Sequence, residues 1–399
     1  MISRVARRAT LCASRRLFSS SAAPSGQLYV CGTGDSHKLG LGDTNDREAP
    51  VPLELGAPVV HAACGKYHSA AVTADGEVYM WGLESSGQLG LGSSRTKART
   101  PQRVEALSGV GVVEVSCGMY HTLARTEGGD VYSCGFGGSF LNGVGGLGHD
   151  SRAQLDAPQR IEGLGEAAGA KVVSVSAGGF HSVALDDQRR VWTWGRGEWG
   201  RLGHGDSSDA YVPTHLESVT DDGLQPTAAV AAEQHSAVVG GAGELLTWGR
   251  NEHFQLGYEV VGLLNSGQSF DAQDAPLRVD FADGAPVASV GVGETSTIAL
   301  MADGDVWLWG MRRYYEPTRL SVGRELLDGL TIANVQCGGS HATLLTACGR
   351  CFTYGKGTAL GLSKAERKSW ELTEVSSFVG RKVLSVACGE YNTAFIVEA

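Results

Sequence analysis

The sequence predicts an all-β protein, a seven-bladed β-propeller closed by pairing of its N- and C-terminal segments. Three observations predict it: one β-rich pattern recurs along the chain, Gly-containing turns separate its runs, and the chain begins and ends with complementary halves of that pattern. A chain of 399 residues would suggest two or three domains by length alone. A repeat array can instead fill that length as one domain.

The pattern is clearest in residues 59–82, 112–135 and 172–195, which begin VVHAACGKYH, VVEVSCGMYH and VVSVSAGGFH. More degenerate copies occupy residues 228–249, 287–310 and 332–355, and the glycines that close the copies lie 45 to 61 residues apart. This spacing is typical of propeller blades. Each copy holds three β-rich runs separated by turns such as Asp75-Gly76, a pair that tolerates positive φ. No segment has a sustained helical periodicity, so the body is expected to be all-β.

The two ends of the chain supply the seventh blade. Residues 26–43 contain the aromatic strand and a Leu-Gly loop without the preceding strand, and residues 383–399 contain only that preceding strand and its partner. Together they make one blade, which with six complete copies gives seven. Closing the ring in this way removes the exposed sheet edges of an open array.

The first 25 residues differ from the rest in composition. They contain five arginines, many serines and no acidic residue, and the first carboxylate is Asp35. This composition is typical of a transit peptide, with a disordered basic tail as the alternative. The run RLFSSS also resembles a mitochondrial processing site. We therefore expect residues 1–25 to be a mitochondrial transit peptide, residues 26–399 to be the propeller, and the location to be the mitochondrial matrix, with a plastid second.

Charge and motifs disfavour several functions. Without the five N-terminal arginines, 28 basic and 43 acidic residues remain, a net charge of −15. Such a body repels phosphate backbones, so broad nucleic-acid binding is disfavoured. No apolar run is long enough to span a membrane. The sequence GRGEWG, residues 195–200, matches GxGxxG but lacks the βαβ context of a dinucleotide site. We expect no enzyme activity, no cofactor and no metal.

Histidine and cysteine recur in register with the repeat. One position is His in five copies, Ser296 in another and Asn392 in the last, an interchange that fits hydrogen bonding to the blade's own backbone. Several cysteines also occupy equivalent positions, which indicates small buried core residues. Cys348 and Cys351 form an isolated CxxC, for which a redox role is the alternative. The odd total of nine cysteines argues against a disulfide framework.

The CGxxH, DGxVYxWG and GQLGLG elements resemble the repeats of the regulator of chromosome condensation family, whose members are seven-bladed propellers. The resemblance covers residues 26–399 and is specific for fold more than for function. In the founding exchange factor of that family, a loop extended after the aromatic strand of the third blade forms a wedge against the GTPase Ran. Here Gly135 leads to a Leu-Gly pair at Gly148, five residues later than in the other copies. The resemblance therefore implies a wedge loop with Phe136, Phe140, Leu141 and Asn142 as contact residues, and an ordinary loop insertion is the alternative.

Two other irregularities compete as interfaces. Residues 258–286 form a stretch of about thirty residues between two copies, long enough for a functional or a disordered loop. The sixth blade lacks a Leu-Gly loop and reads GMRRYYEPTRL from Gly310. Its residues Arg312, Arg313, Tyr314 and Tyr315 combine charge with aromatic faces, as protein hot spots and RNA-stacking sites do, and a solvated loop is the alternative.

The sequence thus predicts a non-catalytic mitochondrial propeller, expected to be a monomer, that binds protein partners. The first hypothesis is a guanine nucleotide exchange factor or another factor that binds a small or organellar GTPase. The second is a scaffold in mitochondrial ribosome assembly or RNA processing, with ribosomal or RNA-processing proteins as its partners. Mitochondrial relatives in the family suggest this second role.

Overall fold

The computed structural model describes residues 24–92, 97–139, 143–221, 223–260, 272–320 and 329–399. Most of the expected transit peptide, and Phe140, Leu141 and Asn142 of the expected wedge loop, lie outside these residues. Within them nearly all of the regular secondary structure is strand, as the sequence predicts, with one short helix at Glu217–Asp221 and seven single turns of 3-10 helix. The helical turns are Asp35–His37, Glu105–Leu107, Glu166–Ala168, Glu198–Gly200, Thr358–Leu360, Lys364–Glu366 and Ser376–Phe378.

Thirty strands follow one another along the described residues. They are β1 Gln27–Gly32, β2 Arg47–Leu53, β3 Val59–Cys64, β4 His68–Thr73, β5 Val78–Leu83, β6 Lys97–Arg103, β7 Val112–Cys117, β8 His121–Thr126, β9 Val131–Gly135, β10 Gly138–Ser139, β11 Gly143–Val144, β12 Leu155–Arg160, β13 Val172–Ala177, β14 His181–Asp186, β15 Val191–Gly195, β16 Ala210–His215, β17 Ala228–Ala231, β18 His235–Val239, β19 Leu245–Arg250, β20 Ala272–Arg278, β21 Val287–Val292, β22 Ser296–Met301, β23 Val306–Gly310, β24 Tyr314–Arg319, β25 Ile332–Cys337, β26 His341–Thr346, β27 Cys351–Lys356, β28 Lys368–Glu374, β29 Val383–Cys388 and β30 Asn392–Val397.

Seven four-stranded antiparallel sheets form the blades across the described ranges. Blade 1 is β29-β30-β1-β2, blade 2 is β3 to β6, blade 3 is β7, β8, β9 and β12, and blades 4 to 7 are β13–β16, β17–β20, β21–β24 and β25–β28. The first strand of each blade is innermost, because the ends of these strands line one axial cavity. The predicted seven-bladed propeller is confirmed.

The ends of the chain close the ring inside blade 1. Strand β30 pairs with β1 over six residues, from Gln27 opposite Val397 to Gly32 opposite Asn392. Both strands thereby lose the open edge that each would otherwise present to another chain. The closure predicted from the two half-repeats is confirmed.

Each blade has a fourth, outer strand that the three-run pattern did not predict. These strands are polar and mostly half-buried or exposed, and six of the seven contain proline, as in REAPVPL of β2 and DAPQR of β12. Proline cannot donate to a ladder, so it is confined to edge strands such as these. The stretch 258–286, expected to be a loop, accordingly contains β20, the outer strand of blade 5.

The core lies between adjacent blades. Trp81, Trp194, Trp248 and Trp309 are among the largest fully buried side chains, and each belongs to the third strand of its blade. Each indole Nε1 donates to a carbonyl oxygen in the Leu-Gly loop of the preceding blade, at 2.8 to 2.9 Å. The aromatic strand of one blade is therefore held by the loop of its neighbour.

Candidate protein-binding face

The recurring histidines join neighbouring blades through a relay of hydrogen bonds. His121 Nε2 lies 2.9 Å from the hydroxyl of Ser182 in the next blade. That hydroxyl donates to the carbonyl oxygen of Gly146, in the Leu-Gly loop of the histidine's own blade, at 2.8 Å. Because the hydroxyl proton is used on the carbonyl, Nε2 must be the protonated ring nitrogen and donate to the hydroxyl oxygen.

The same relay occurs at six of the seven blade boundaries. The histidine or asparagine and its hydroxyl partner are His68 with Thr122, His121 with Ser182, His181 with Ser236, His235 with Thr297, His341 with Thr393, and Asn392 with Ser69. The sequence-based expectation of a bond within one blade is therefore wrong in its partner. The histidine bonds a hydroxyl of the next blade, and that hydroxyl then bonds a backbone carbonyl of the histidine's own blade.

The histidines of this relay are held in their neutral form. Nδ1 of His68, His181 and His235 is buried without a hydrogen-bond partner, which suits an unprotonated nitrogen. Burial lowers the pKa of His68 to about 3 and that of His121 to about 4. A neutral, fully buried imidazole that is bonded to a structural hydroxyl is not available as a general base or a metal ligand.

The boundary between blades 6 and 7 lacks every part of the relay. Ser296 replaces the histidine, Ala342 replaces the hydroxyl residue, and blade 6 has no Leu-Gly loop. The Ser296 hydroxyl lies 3.0 Å from the Cys337 thiol instead. A hydrogen bond of 2.8 Å between the hydroxyls of Tyr314 and Tyr354 joins the two blades at this boundary.

Two of the four predicted patch residues serve that boundary. Tyr314 makes the tyrosine pair, and the Arg313 guanidinium lies 4.4 Å from the ring centroid of Trp370 in blade 7. Arg312 and Tyr315 instead contact blade 5, through His253 at 2.7 Å and through the Phe254 ring at 4.4 Å. The structure therefore divides the predicted patch, of which Arg312, Arg313 and Tyr315 are exposed and Tyr314 is half-buried.

One end of the axial cavity carries a charged cluster. The cavity encloses about 90 Å³ and is lined by the residue after the repeat glycine in every blade. Oxygens of Glu233, Glu294 and Glu390 lie within 4.8 Å of one another. The Lys66 ammonium lies 3.3 Å from Glu233 and 2.8 Å from Glu390. Burial, and then the two neighbouring carboxylates, raise the pKa of Glu294 to about 7. The positive charge of Lys66 thus partly neutralises the three clustered carboxylates.

Around that axis, the side chains of blades 2 to 4 form a surface that we call the aromatic arc, made of Tyr67, Tyr120, Phe136 and Phe180. All four are half-buried. Successive ring centroids are 5.2 Å apart for Tyr67 and Tyr120 and 6.0 Å apart for Tyr120 and Phe180. The Phe136 ring lies 6.3 Å from that of Phe180. Phe136 of the predicted wedge is thus one member of a larger aromatic surface.

The extension of blade 3 forms a two-stranded ribbon at its described base. Strands β10 and β11 pair Gly138 with Val144 and Ser139 with Gly143. Asp209 tethers the ribbon to blade 4, since its carboxylate accepts from the backbone N–H of Val144 at 2.9 Å and from that of Gly197 at 2.8 Å. The paired base of this extension therefore lies beside Phe136 of the aromatic arc, at the place where the sequence predicts a wedge.

Glycines allow this ribbon to fit against its neighbours. A Cβ at Gly145 would lie 1.9 Å from the Phe136 carbonyl oxygen, and one at Gly146 would lie 2.6 Å from His121 Nε2. Neither distance is sterically possible, so the glycine-rich composition of this stretch is a packing requirement.

The cysteines follow the sequence-based interpretation. Burial is the first cause that raises the thiol pKa of Cys64 to about 12 and that of Cys351 to about 12. Cys348 is exposed, and a hydrogen bond with Thr346 is the first cause that lowers its pKa. Cys348 and Cys351 are both free thiols.

These features define a class of protein: a repeat propeller whose histidines serve structure and whose loops build a varied face of aromatic, basic and acidic side chains. The family model of the RCC1-like domain matches residues 16–318. The chain therefore belongs to the RCC1-like domain family. Within the described residues, no helix has the length and apolar character of a membrane span.

Curated relatives are similar over most of this chain. The ultraviolet-B receptor UVR8 of Arabidopsis thaliana is 32% identical over 82% of this chain and 73% of its own length. The mitochondrial RCC1 domain-containing protein RUG3 of Arabidopsis thaliana is 30% identical over 75% of this chain and 66% of its own. The human E3 ubiquitin-protein ligase HERC2 is 30% identical over 76% of this chain, which spans only 6% of that ligase.

Solved structures share the fold at lower identity. Human WBSCR16 superposes with a TM-score of 0.77 at 22% identity, over 94% of this chain and 99% of its own. Prp20p of Saccharomyces cerevisiae, described with its binding to Gsp1p and histones, superposes with a TM-score of 0.79 at 20% identity, over 95% of this chain and 92% of its own.

Apart from Phe136, which the wedge prediction includes, sequence analysis did not single out the residues of the aromatic arc and the axial cluster. These residues occupy two kinds of position. Some are the two variable residues x of the CGxxH motif, and the others come just after the glycine that ends the aromatic strand. The available signal was that these positions vary in chemistry from blade to blade while their neighbours repeat.

Proposed function

We propose that this protein is a non-catalytic mitochondrial propeller that binds protein partners, and that one partner is a GTPase. The observation that carries the proposal is the ribbon of blade 3, which stands beside the aromatic arc and is anchored by Asp209. Apolar side chains on an anchored hairpin suit displacement of a switch loop, the element that GTPases order and disorder. The relation to RUG3 supports the mitochondrial location, and the fold shared with Prp20p supports the GTPase.

Among the proposed wedge residues, the structure describes contacts for Phe136 only. The ring contacts of Phe136 with Tyr120 and Phe180 support a contact role for this residue. Phe140, Leu141 and Asn142 stay a prediction and would form the tip of the ribbon. If the ribbon acts as a wedge, the tip contacts the partner and Asp209 is a positioning residue.

The test is capture of a GTPase from isolated mitochondria with the tagged full chain, with and without EDTA to remove Mg²⁺ and nucleotide. An exchange factor binds the nucleotide-free GTPase best, so we expect one GTPase to be enriched by EDTA and released by added GTP. Replacing Phe140, Leu141 and Asn142 with Gly should abolish capture while the melting temperature stays nearly unchanged. Tyr79→Ala is the control, because Tyr79 is a half-buried aromatic residue that lies in β5 of blade 2 and not in the ribbon.

Two outcomes would overturn the proposal. Enrichment of ribosomal or RNA-processing proteins without a nucleotide-sensitive GTPase would favour the scaffold hypothesis. A large fall in melting temperature of the tip variant would show that the extension belongs to the core.

A further inference from the structure

Four arginines of blades 4 to 6 form ion pairs with only two carboxylates. Glu198 pairs with Arg196 at 2.8 Å and with Arg201 at 3.4 Å. Glu252 pairs with both Arg250 and Arg312. Two carboxylates thus serve four guanidinium groups, which leaves two positive charges in excess in a chain whose formal net charge is −10. We call Arg196, Arg201, Arg250 and Arg312 the arginine arc.

The arginine arc also has unused hydrogen-bond donors. Nη1 of Arg201 and Nε of Arg250 are buried and have no hydrogen-bond partner. Arg201 is only 2% exposed, and burial is the first cause that lowers its pKa to about 10, with Arg196 and Arg250 adding repulsion. An unpaired buried donor is costly, and more so when it is charged. A bound oxyanion that pairs with Arg196, Arg250 and Arg312 would offset the excess positive charge around buried Arg201.

Strained backbone is concentrated in the same place. Eight non-glycine residues of the described chain have positive φ, and four of them lie here: Trp199, Phe254, Met311 and Arg312. Bulky residues rarely adopt this conformation, and such strain clusters at functional sites. Strain alone does not show what binds, but it marks loops that the fold holds against their local preference.

Aromatic side chains accompany the arginines. The Arg250 guanidinium lies 4.9 Å from the Trp199 ring centroid, and Tyr315, which is 63% exposed, packs on Phe254 at 4.4 Å. Arg196 lies 5.7 Å from the ring of Phe180, so the arginine arc continues from the aromatic arc on the same face. Arginine and aromatic residues are the types that dominate binding energy at protein interfaces.

We propose that the arginine arc is a docking surface for an acidic segment of a partner protein. Carboxylates of that segment would pair with Arg196, Arg250 and Arg312, and its apolar residues would contact Trp199 and Tyr315. Arg–carboxylate pairs can be bidentate, which gives geometric specificity as well as energy. The arginine arc begins at Arg196, which packs beside Gly143 of the ribbon, and extends away from the ribbon to Arg250 and Arg312; it does not require exchange activity.

A protein segment fits this surface better than a nucleic acid. The three glutamates of the axial cluster lie beside the arginine arc, since electrostatic attraction links Glu233 to Arg201. A continuous phosphate backbone would meet these carboxylates and the overall negative charge. Discrete side chains can reach the arginines without crossing the axis.

The test is fluorescence anisotropy of the full chain with three labelled probes at low salt. The first is a short peptide of alternating acidic residues and Phe, the second is the same peptide with the acids changed to Asn and Gln, and the third is a polyuridine of matched length. The first probe should bind, and the double variant R196Q/R312Q should weaken it about tenfold, equivalent to ~1.4 kcal/mol. The matched control R160Q/R319Q removes two arginines of outer strands, each of which forms an ion pair with an aspartate. It should leave binding of the acidic peptide unchanged.

Each other outcome contradicts the proposal. Equal loss in the two double variants would show general electrostatic attraction only. Tighter binding of polyuridine would identify a nucleic-acid site, and no binding of the acidic peptide would remove the surface as a docking site. Both double variants keep the residues of the ribbon, so we expect each of them still to capture the GTPase. Capture of the GTPase without binding of the acidic peptide would count against this inference alone, and binding of the peptide without capture would count against the proposed function alone.

Discussion

Mild acid should destabilise the propeller because its ring histidines are buried in the neutral form. An unfolded histidine has a pKa near 6.5, whereas the folded values are about 3 for His68 and His235 and about 4 for His121 and His341, and that of His181 is also lowered. Between pH 7 and 5.5 the unfolded chain takes up protons that the folded chain does not. The stabilisation is therefore complete above pH 6.5 and is lost as the pH falls toward the folded pKa.

The magnitude follows from linkage. Lowering the pH from 7 to 5.5 costs about 1.2 kcal/mol for each such histidine, or about 6 kcal/mol for five. Glu84 and Glu294 oppose this, because burial raises both of their pKa values to about 7 and the folded protein then gains protons first. These two carboxyls return at most about 3 kcal/mol over the same interval, because solvent screens the partly exposed Glu294. We therefore expect a net loss of at least about 3 kcal/mol.

Urea unfolding at the two pH values measures this loss, and His121→Asn isolates one histidine. Asparagine already occupies this repeat position as Asn392, where it bonds Ser69 at 3.1 Å, so the variant keeps a donor and removes the titration. The difference between the two pH values should shrink by about 1 kcal/mol in the variant. A free energy of unfolding that is the same at pH 7 and 5.5, or an unchanged difference in the variant, would refute the neutral buried ring.

Two further predictions concern single groups. Thr122→Val removes a hydroxyl that bonds His68 and the Gln88 carbonyl, so the free energy of unfolding should fall by about 2 to 3 kcal/mol, whereas Ser296→Ala, at the boundary without a relay, should cost less than about 1 kcal/mol in the same urea measurement. Equal losses would show that the relay adds nothing. Among the thiols of the described ranges, Cys348 should react first with iodoacetamide, as peptide mapping by mass spectrometry would detect, because it is exposed and its pKa is lowered. Earlier labelling of a buried thiol would contradict the structure.

The fold was predictable because its backbone conformation requires one particular residue type at certain positions of every blade. Gly82, for example, has a φ of 114°, and a Cβ there would lie 2.5 Å from the Tyr67 carbonyl oxygen, so only glycine fits at the end of this strand. Equivalent glycines recur in every blade, which makes the period visible without an alignment. The outer strands were missed because their polar, proline-containing sequences carry no alternating pattern.

The partners of the recurring residues were not predictable in the same way. His121 and Ser182 are 61 residues apart, and the choice between bonding within a blade and across a boundary depends on how blades pack. The arginine arc was missed for a related reason. Arg196, Arg250 and Arg312 come from three different blades, and only the closed ring brings them to one face.

The division between structure and function in this protein follows from the relay. The repeat glycine, the histidine, the hydroxyl and the loop carbonyl are each tied to a partner in a neighbouring strand or blade, so substitution at any of them disturbs a boundary. The side chains of the two residues before the histidine take no part in the relay and differ among blades, from Lys66 and Tyr67 to Glu233 and Gln234. The residue after the aromatic strand is equally free, as Phe136 and Arg196 show. The recognition surface can therefore change chemistry around the ring without loss of the propeller, which is why the face, rather than the repeated histidines, is where partner specificity should be sought.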